Sequence, residues 1–251
     1  MDLLVKIKKN KKSFPATLNK LLTFHKEHGI FAKNMIKIAY SILSADFANL
    51  SFELKKVEKA GVDAIHIDIM DGHFVPNLSM GPKVVAAIKR NTHLFLDVHL
   101  MIYNPFNYVE AFVAAGADLI TFHVEATEDV LDTINFVKRC GKKAGLAFNP
   151  ETSLFIGEKY LSECDLLLFM SVNPGFSGQK FQKEVVNKIA LAKDLLKDRK
   201  YSNIEIQVDG GIDVKSAKLC VDAGANFLVS GNYLSTCGDM TEGVKRLKGM
   251  H

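Results

Sequence analysis

A chain of 251 residues with 48% hydrophobic content can bury a large core, and this is a length at which α/β barrels commonly form as one domain. No apolar run approaches the roughly 18 residues that span a bilayer, and the basic amino terminus lacks the apolar centre of a secretory signal, so a soluble protein with no membrane partner is expected. The net charge of +4 belongs to one segment: residues 1–34 hold eight lysines against Asp2 and Glu27, a balance of +6, while 24 basic and 26 acidic groups from residue 35 onward leave −2.

That extension has no arginine and little aromatic interleaving, so it reads as a solvated arm, flexible or partly helical, and no nucleic-acid partner is expected. Residues 35–251 are expected to form a single domain. Short β-like runs follow one another at Ile36–Leu43, Ala64–Met70, Leu94–Met101, Asp118–Val124, Ala144–Asn149, Asp165–Val172, Ile204–Asp209 and Asn226–Ser230. Between them, segments such as Leu50–Ala60, Phe106–Ala115, Val130–Cys140, Glu184–Leu196 and Ser216–Ala223 carry apolar residues at helical spacing. Three of these end alike, in Ala60-Gly61-Val62-Asp63, Ala115-Gly116-Ala117-Asp118 and Ala223-Gly224-Ala225-Asn226. Glycine suits the left-handed residue just past a helix, so each reads as a helix-to-strand joint. The four cysteines, Cys140, Cys164, Cys220 and Cys237, fall outside any CxxC spacing and suit free thiols in a reducing cytoplasm, the expected compartment.

Eight such units are the count that closes a (β/α)8 TIM barrel, whereas an open doubly wound sheet needs fewer strands and a glycine-rich first turn that is missing here. The strand patterns agree. His66, Asp68 and Met70 alternate with Ile65, Ile67 and Ile69, and Asp97, His99 and Met101 share one face of the next strand. A charge turned into a barrel needs a partner, a metal or a task, and these residues gather at strand carboxyl ends, where barrels keep their active sites.

His66, Asp68, His99 and Asp209 then converge as a mixed nitrogen and oxygen set suited to Zn²⁺, Fe²⁺, Mn²⁺ or Co²⁺; an unmetallated polar cluster is the alternative. Asp68 and Asp209 have a second use. Their strands lie three steps apart, roughly 135° around an eight-stranded ring, so the two carboxyl groups can meet a substrate from opposite faces. One ionised and one protonated carboxyl in that arrangement can invert a carbon centre. Three glycine-rich strand ends, Asn173-Pro174-Gly175-Phe176-Ser177-Gly178, Asp209-Gly210-Gly211 and Ser230-Gly231-Asn232, can together cradle a phosphate, helped by a short helix after the last strand. Met70, Met101 and Met170 either keep water from a charged intermediate or simply pack the core. His123 and Glu125 are open to a pocket-lining or a structural reading, and His73 to a place over the site or at a subunit contact.

Taken together, SILSADFANL at 41–50, HIDIMDGHFVPN at 66–77, DVHLM at 97–101, ITFHVEA at 120–126, MSVNPGFSGQKF at 170–181 and VDGG at 208–211 resemble ribulose-phosphate 3-epimerase. The match extends over nearly all of residues 36–234 and leaves 1–34 outside. The resemblance implies a ribulose-phosphate-binding barrel that interconverts D-ribulose 5-phosphate and D-xylulose 5-phosphate in the pentose phosphate pathway, with one divalent metal ion per subunit and a homo-oligomeric assembly. By position it implies metal ligands at His66, Asp68, His99 and Asp209 and an acid/base pair at Asp68 and Asp209. Substrate contacts are implied at Ser41, His99, Asp209, Gly175 to Gly178, Gly210, Gly211, Gly231 and Asn232. Tyr40, Ser177 and Asn232 depart from the family's usual proline, glycine and serine, and Ser177 would be costly if its position needed a positive φ. Related decarboxylases and aldolase-like synthases place a lysine where Met70 stands, which argues against their chemistry. The nearest enzymatic alternative is an epimerase of a six-carbon ketose phosphate such as allulose 6-phosphate. The alternative from another class is a catalytically silent sugar-phosphate-binding protein.

Overall fold

The computed structural model describes residues 36–201 and 203–249; the expected basic extension lies outside them. Eight parallel strands, β1 (Lys37–Ser41), β2 (Ala64–Met70), β3 (Phe95–Met101), β4 (Leu119–His123), β5 (Lys143–Phe148), β6 (Leu166–Met170), β7 (Glu205–Asp209) and β8 (Phe227–Ser230), pair in sequence order and close β8 onto β1. Around them run α1 (Leu50–Ala60), α2 (Pro82–Asn91), α3 (Val109–Ala115), α4 (Val130–Arg139), α5 (Val185–Asp198), α6 (Val214–Ala223), α7 (Asn232–Thr236) and α8 (Met240–Leu247). This is the expected (β/α)8 barrel.

Two helical segments differ from expectation. The run from Phe106 is broken: Asn104 is left-handed (φ 51°) and Pro105 opens a 3-10 turn to Tyr108, so the α-helix begins only at Val109. Between β5 and β6, the 3-10 turns Leu154–Ile156 and Glu158–Glu163 stand where an α-helix would complete the unit. Pro150 and Gly157 interrupt that stretch and leave no run long enough to repay helix nucleation.

The three predicted joints are present, with Gly61, Gly116 and Gly224 at φ 80°, 104° and 123°. Each delivers a polar residue to the amino-terminal mouth of the barrel. Asp63 donates its amide to Ile38 O and accepts the Ile38 amide on Oδ2 (both 2.8 Å). Asp118 does the same with Leu96, Asp165 with Ala144 and Asn226 with Ile206. Every even-numbered strand is thus clamped to the odd-numbered strand before it by a two-bond exchange just ahead of its first residue.

Inside the barrel, Ala39, Ala64, Leu119, Leu166, Leu168 and Phe227 form an apolar filling. The outward aliphatics, such as Ile65, Ile67 and Ile69, pack under the helices. Tyr40 also points outward and is fully buried, and its hydroxyl has no hydrogen-bond partner among the described residues. Burial and the charge of Glu53 push that hydroxyl up to about 12.

The clamp makes a direct prediction. Asn226→Ala strands the buried Ile206 amide without an acceptor and is expected to cost about 1–3 kcal/mol, whereas Asn226→Asp keeps the acceptor and most of the stability; urea unfolding of the two variants measures the difference.

Candidate active site

Strand register gathers the site. Pairing of β2 with β3 sets His66 beside Asp97, Asp68 beside His99 and Met70 beside Met101, and pairing of β6 with β7 sets Met170 beside Asp209. All of the inward polar residues but Asp209 are almost fully enclosed, and one ligand atom each from His66, Asp68, His99 and Asp209 lies within 4.8 Å of the others.

Each imidazole is held from behind. His66 Nδ1 lies 2.7 Å from Asp97 Oδ2, which also accepts the Gln207 amide at 2.5 Å. The opposite nitrogen, Nε2, faces Asp68 Oδ1 at 3.2 Å and Asp209 Oδ2 at 3.9 Å without making a hydrogen bond. A buried nitrogen aimed at two carboxylates and bonded to none is what a cation position requires, so this donor set fits a divalent metal. His99 Nδ1 approaches Asp68 Oδ1 at 3.2 Å, and its Nε2 meets His123 Nε2 at 2.9 Å. His123 Nδ1 is 3.2 Å from Glu125 Oε2, and Glu125 Oε1 accepts the Asn149 amide.

Electrostatics separates the two aspartates. Burial would raise the Asp68 carboxyl, but the positive charge of His66 outweighs it and holds Asp68 well below the usual carboxylate range. Asp209 has no such support: burial first and the Asp68 charge second push it up to about 7. Burial works against protonation of His66, yet Asp97 and Asp68 raise it well above its ordinary value. Burial lowers His99 to about 4. Burial would also raise Glu125, but His123, Thr152 and the Asn149 amide together bring it down to about 2.

A cavity of about 470 Å³ opens above this cluster, lined by Asp68 and Asp209, by Ser41, by Met70, Met101 and Met170, and by the glycine-loop residues expected to contact substrate. The latter are Gly175, Phe176, Ser177, Gly178, Gly210, Gly211, Gly231 and Asn232. Ser41 donates to Asp68 Oδ2 at 3.0 Å. His66 and His99 stand behind the aspartates, off the cavity surface. The three methionines line the cavity and also pack, Met70 and Met101 with Val75 and Met170 with the filling of the barrel. Gly211 makes a close approach to backbone: a Cβ there would sit 2.7 Å from the Phe181 amide nitrogen, and with φ at 60° only glycine lets the β7 loop reach the β6 loop this way. Ser177 is not among the positive-φ residues, so it carries no backbone penalty. Beyond Gly211, the Asp213 carboxylate accepts the Lys215 and Ser216 amides, and Ser216 Oγ accepts the Asp213 amide, a capping box that starts α6.

The loop after β2 closes one side. Asp71 accepts the amides of His73, Phe74 and Tyr103, and Asn77 Nδ2 donates to Gly175 O at 2.7 Å. His73 is exposed on that loop and is not part of the cluster of His66, Asp68, His99 and Asp209. Asp97, Gln207 and Asn77 also build the site, through bonds that the sequence pattern does not reveal. The one available signal was that Asp97 and Gln207 stand two residues before His99 and Asp209 on the same strand faces.

The chain is similar to known proteins along most of its length. The model of the ribulose-phosphate 3 epimerase family matches residues 37–235. The chain belongs to that family. It is 52% identical over 200 residues to ribulose-phosphate 3-epimerase of Chlamydia pneumoniae, covering 79% of this chain and 87% of that one. It is 46% identical over 215 residues to the Bacillus subtilis epimerase, covering 86% and 99%. The chloroplastic ribulose-5-phosphate-3-epimerase of Arabidopsis thaliana is 45% identical over 220 residues, covering 87% and 78%. Among solved structures, 3-hexulose-6-phosphate synthase from Salmonella typhimurium superposes with a TM-score of 0.64 at 16% identity, covering 86% of this chain and 98% of that chain. A likeness at that identity speaks for the fold.

The split between the aspartates sets a pH dependence. Between about pH 4 and 7 the folded chain keeps a proton on Asp209 that the unfolded chain has released, so Asp209 contributes stability that falls as pH rises through that window. Raised His66 acts in the same direction at higher pH. His99, lowered to about 4, gains stability with pH over about 4 to 6.5 and opposes this, so the Asp209 contribution is read between variants: in chelator-treated protein, Asp209→Asn is expected to gain urea resistance relative to wild type as pH rises from 5 to 8.

Proposed function

We propose that the protein interconverts D-ribulose 5-phosphate and D-xylulose 5-phosphate by moving the C3 proton between Asp68 and Asp209. One observation carries this reading: two carboxyl groups on β2 and β7 line one cavity and differ in proton affinity, one well below the ordinary value and one raised to about 7. Removal of the C3 proton by one carboxylate leaves a planar enediolate, and return of a proton by the other from the opposite face inverts the carbon. Ser41 steadies Asp68 through its hydrogen bond, and the methionines keep water from the reacting carbon. The amides of Gly210, Gly211, Gly231 and Asn232, with the Gly175–Gly178 loop, hold the phosphate and so the register of C3 between the acids.

His66, Asp68, His99 and Asp209 would hold one divalent cation per subunit, Zn²⁺, Fe²⁺, Mn²⁺ or Co²⁺. When bound, such a cation supplies positive charge beside the developing enediolate oxygens. A homo-oligomer is supported by Phe47, Phe52, Leu78, Tyr103 and Tyr108, exposed apolar side chains on or beside the loops after β1, β2 and β3. Among the described residues no helix is long and apolar enough to cross a membrane. A cytoplasmic location accords with the free thiols of all four cysteines. Met70 beside Asp68 supports epimerisation over the lysine-assisted chemistry of related barrels.

The test is a coupled assay on metal-analysed protein with ribulose 5-phosphate and allulose 6-phosphate in parallel. Turnover of the pentose phosphate, lost with chelator and restored by a divalent ion, is expected; preference for the hexose phosphate would transfer the assignment to the six-carbon substrate, and no turnover of either would leave a binding protein. Asp209→Asn is expected to lower exchange of the C3 hydrogen with solvent by about 10²–10⁴-fold, and wild-type exchange in the metal-loaded variant would overturn the two-acid assignment.

A further inference from the structure

His123 and Glu125 lie outside the ligand set, yet they control which nitrogen of His99 is free. The two imidazoles face each other through Nε2 atoms 2.9 Å apart, and such a pair bonds only when one nitrogen carries a hydrogen and the other a lone pair. The far side of His123 decides which. Its Nδ1 sits 3.2 Å from Glu125 Oε2, and an ionised carboxylate can only accept, so Nδ1 of His123 holds the hydrogen. With the hydrogen of His123 on Nδ1, its Nε2 offers a lone pair, His99 donates from its own Nε2, and the bare His99 Nδ1 faces Asp68 Oδ1 at 3.2 Å, where two acceptors so close call for a cation between them. Without the Glu125 carboxylate both rings can turn their protons around, and His99 Nδ1–H would point its hydrogen at the cation position.

The carboxylate is itself fixed. Glu125 Oε1 accepts the Asn149 amide, and Lys188 Nζ on α5 donates to the carbonyls of Asn149, Pro150 and Thr152 at 2.8, 2.8 and 2.6 Å. Phe74 lies over the His123 ring with centroids 4.8 Å apart and shields the pair from water. Asp97 does the equivalent work for His66 directly, at one remove less.

We propose that Glu125, acting through His123, is a positioning residue that locks His99 in the metal-binding tautomer. This rests on the metal reading above, so the experiment separates the two. Zinc affinity is measured by competition with a chromophoric chelator on wild type, Glu125→Gln and His123→Phe, with the stoichiometry of each. Wild type is expected to bind one zinc per subunit and the variants to bind it roughly 10–100-fold more weakly, with epimerase turnover returning at saturating zinc. Wild-type affinity in both variants would overturn the lock while leaving the metal site intact; no zinc on wild type would overturn both. A readout on the unaltered protein is independent of whether either variant folds. Long-range ¹H–¹⁵N correlation on zinc-loaded, histidine-labelled protein should show His123 protonated at Nδ1 and bare at Nε2, and the reverse tautomer or an imidazolium at His123 would refute the proposal.

Discussion

Two carboxyl groups buried a few ångströms apart cannot both ionise in a poorly solvated barrel without positive charge or hydrogen bonds to hold them, and the upper half of this molecule is arranged around that constraint. Asp68 receives support from His66 and Ser41. Asp209 receives little and keeps its proton to higher pH. A stable asymmetry between chemically identical groups is what a two-sided proton transfer needs, and here it comes from neighbours contributed by β1 and β2.

The same constraint reaches outward. Each imidazole near the carboxylates is backed by another acceptor, Asp97 for His66 and the His123–Glu125 pair for His99. Those acceptors need partners in turn, found in Gln207, in the Asn149 amide and in the loop that Lys188 grips. Polar groups therefore run from the barrel axis to the surface of α5 in a connected series. Such a series is affordable only because the opposite end of the barrel is apolar within and is clamped at its rim by Asp63, Asp118, Asp165 and Asn226. One mouth holds the fold and the other holds the chemistry.

The loops close over this frame. The close approach of Gly211 to Phe181 and the bond from Asn77 to Gly175 tie the loops after β2, β6 and β7 together above the cavity. A barrel of this shape is shared with 3-hexulose-6-phosphate synthase at low identity, so the fold leaves the reaction open. On a shared fold the distinction lies in the side chains that the strand ends present.

Much was legible in the sequence because the relevant periodicities are local. Alternation of two positions showed which faces of β2 and β3 turn inward, and the Ala-Gly-x-Asp/Asn joints marked where helices stop and strands start. Together with the family motifs this established the barrel, the four candidate ligands and the glycine loops. Pairings between strands were another matter. That Asp97 bonds His66 rather than His99, that Gln207 reaches Asp97 across 110 positions of sequence, and that Glu125 acts on the site through His123 depend on barrel closure and side-chain direction. The break at Pro105 and the missing helix after β5 were likewise weak signals against a strong repeat. Sequence alone determined which residues could carry the chemistry, since residue type and strand periodicity are properties of short segments. Tertiary structure alone decided their proton states and partners, because those follow from distances and burial set by residues far apart in the chain.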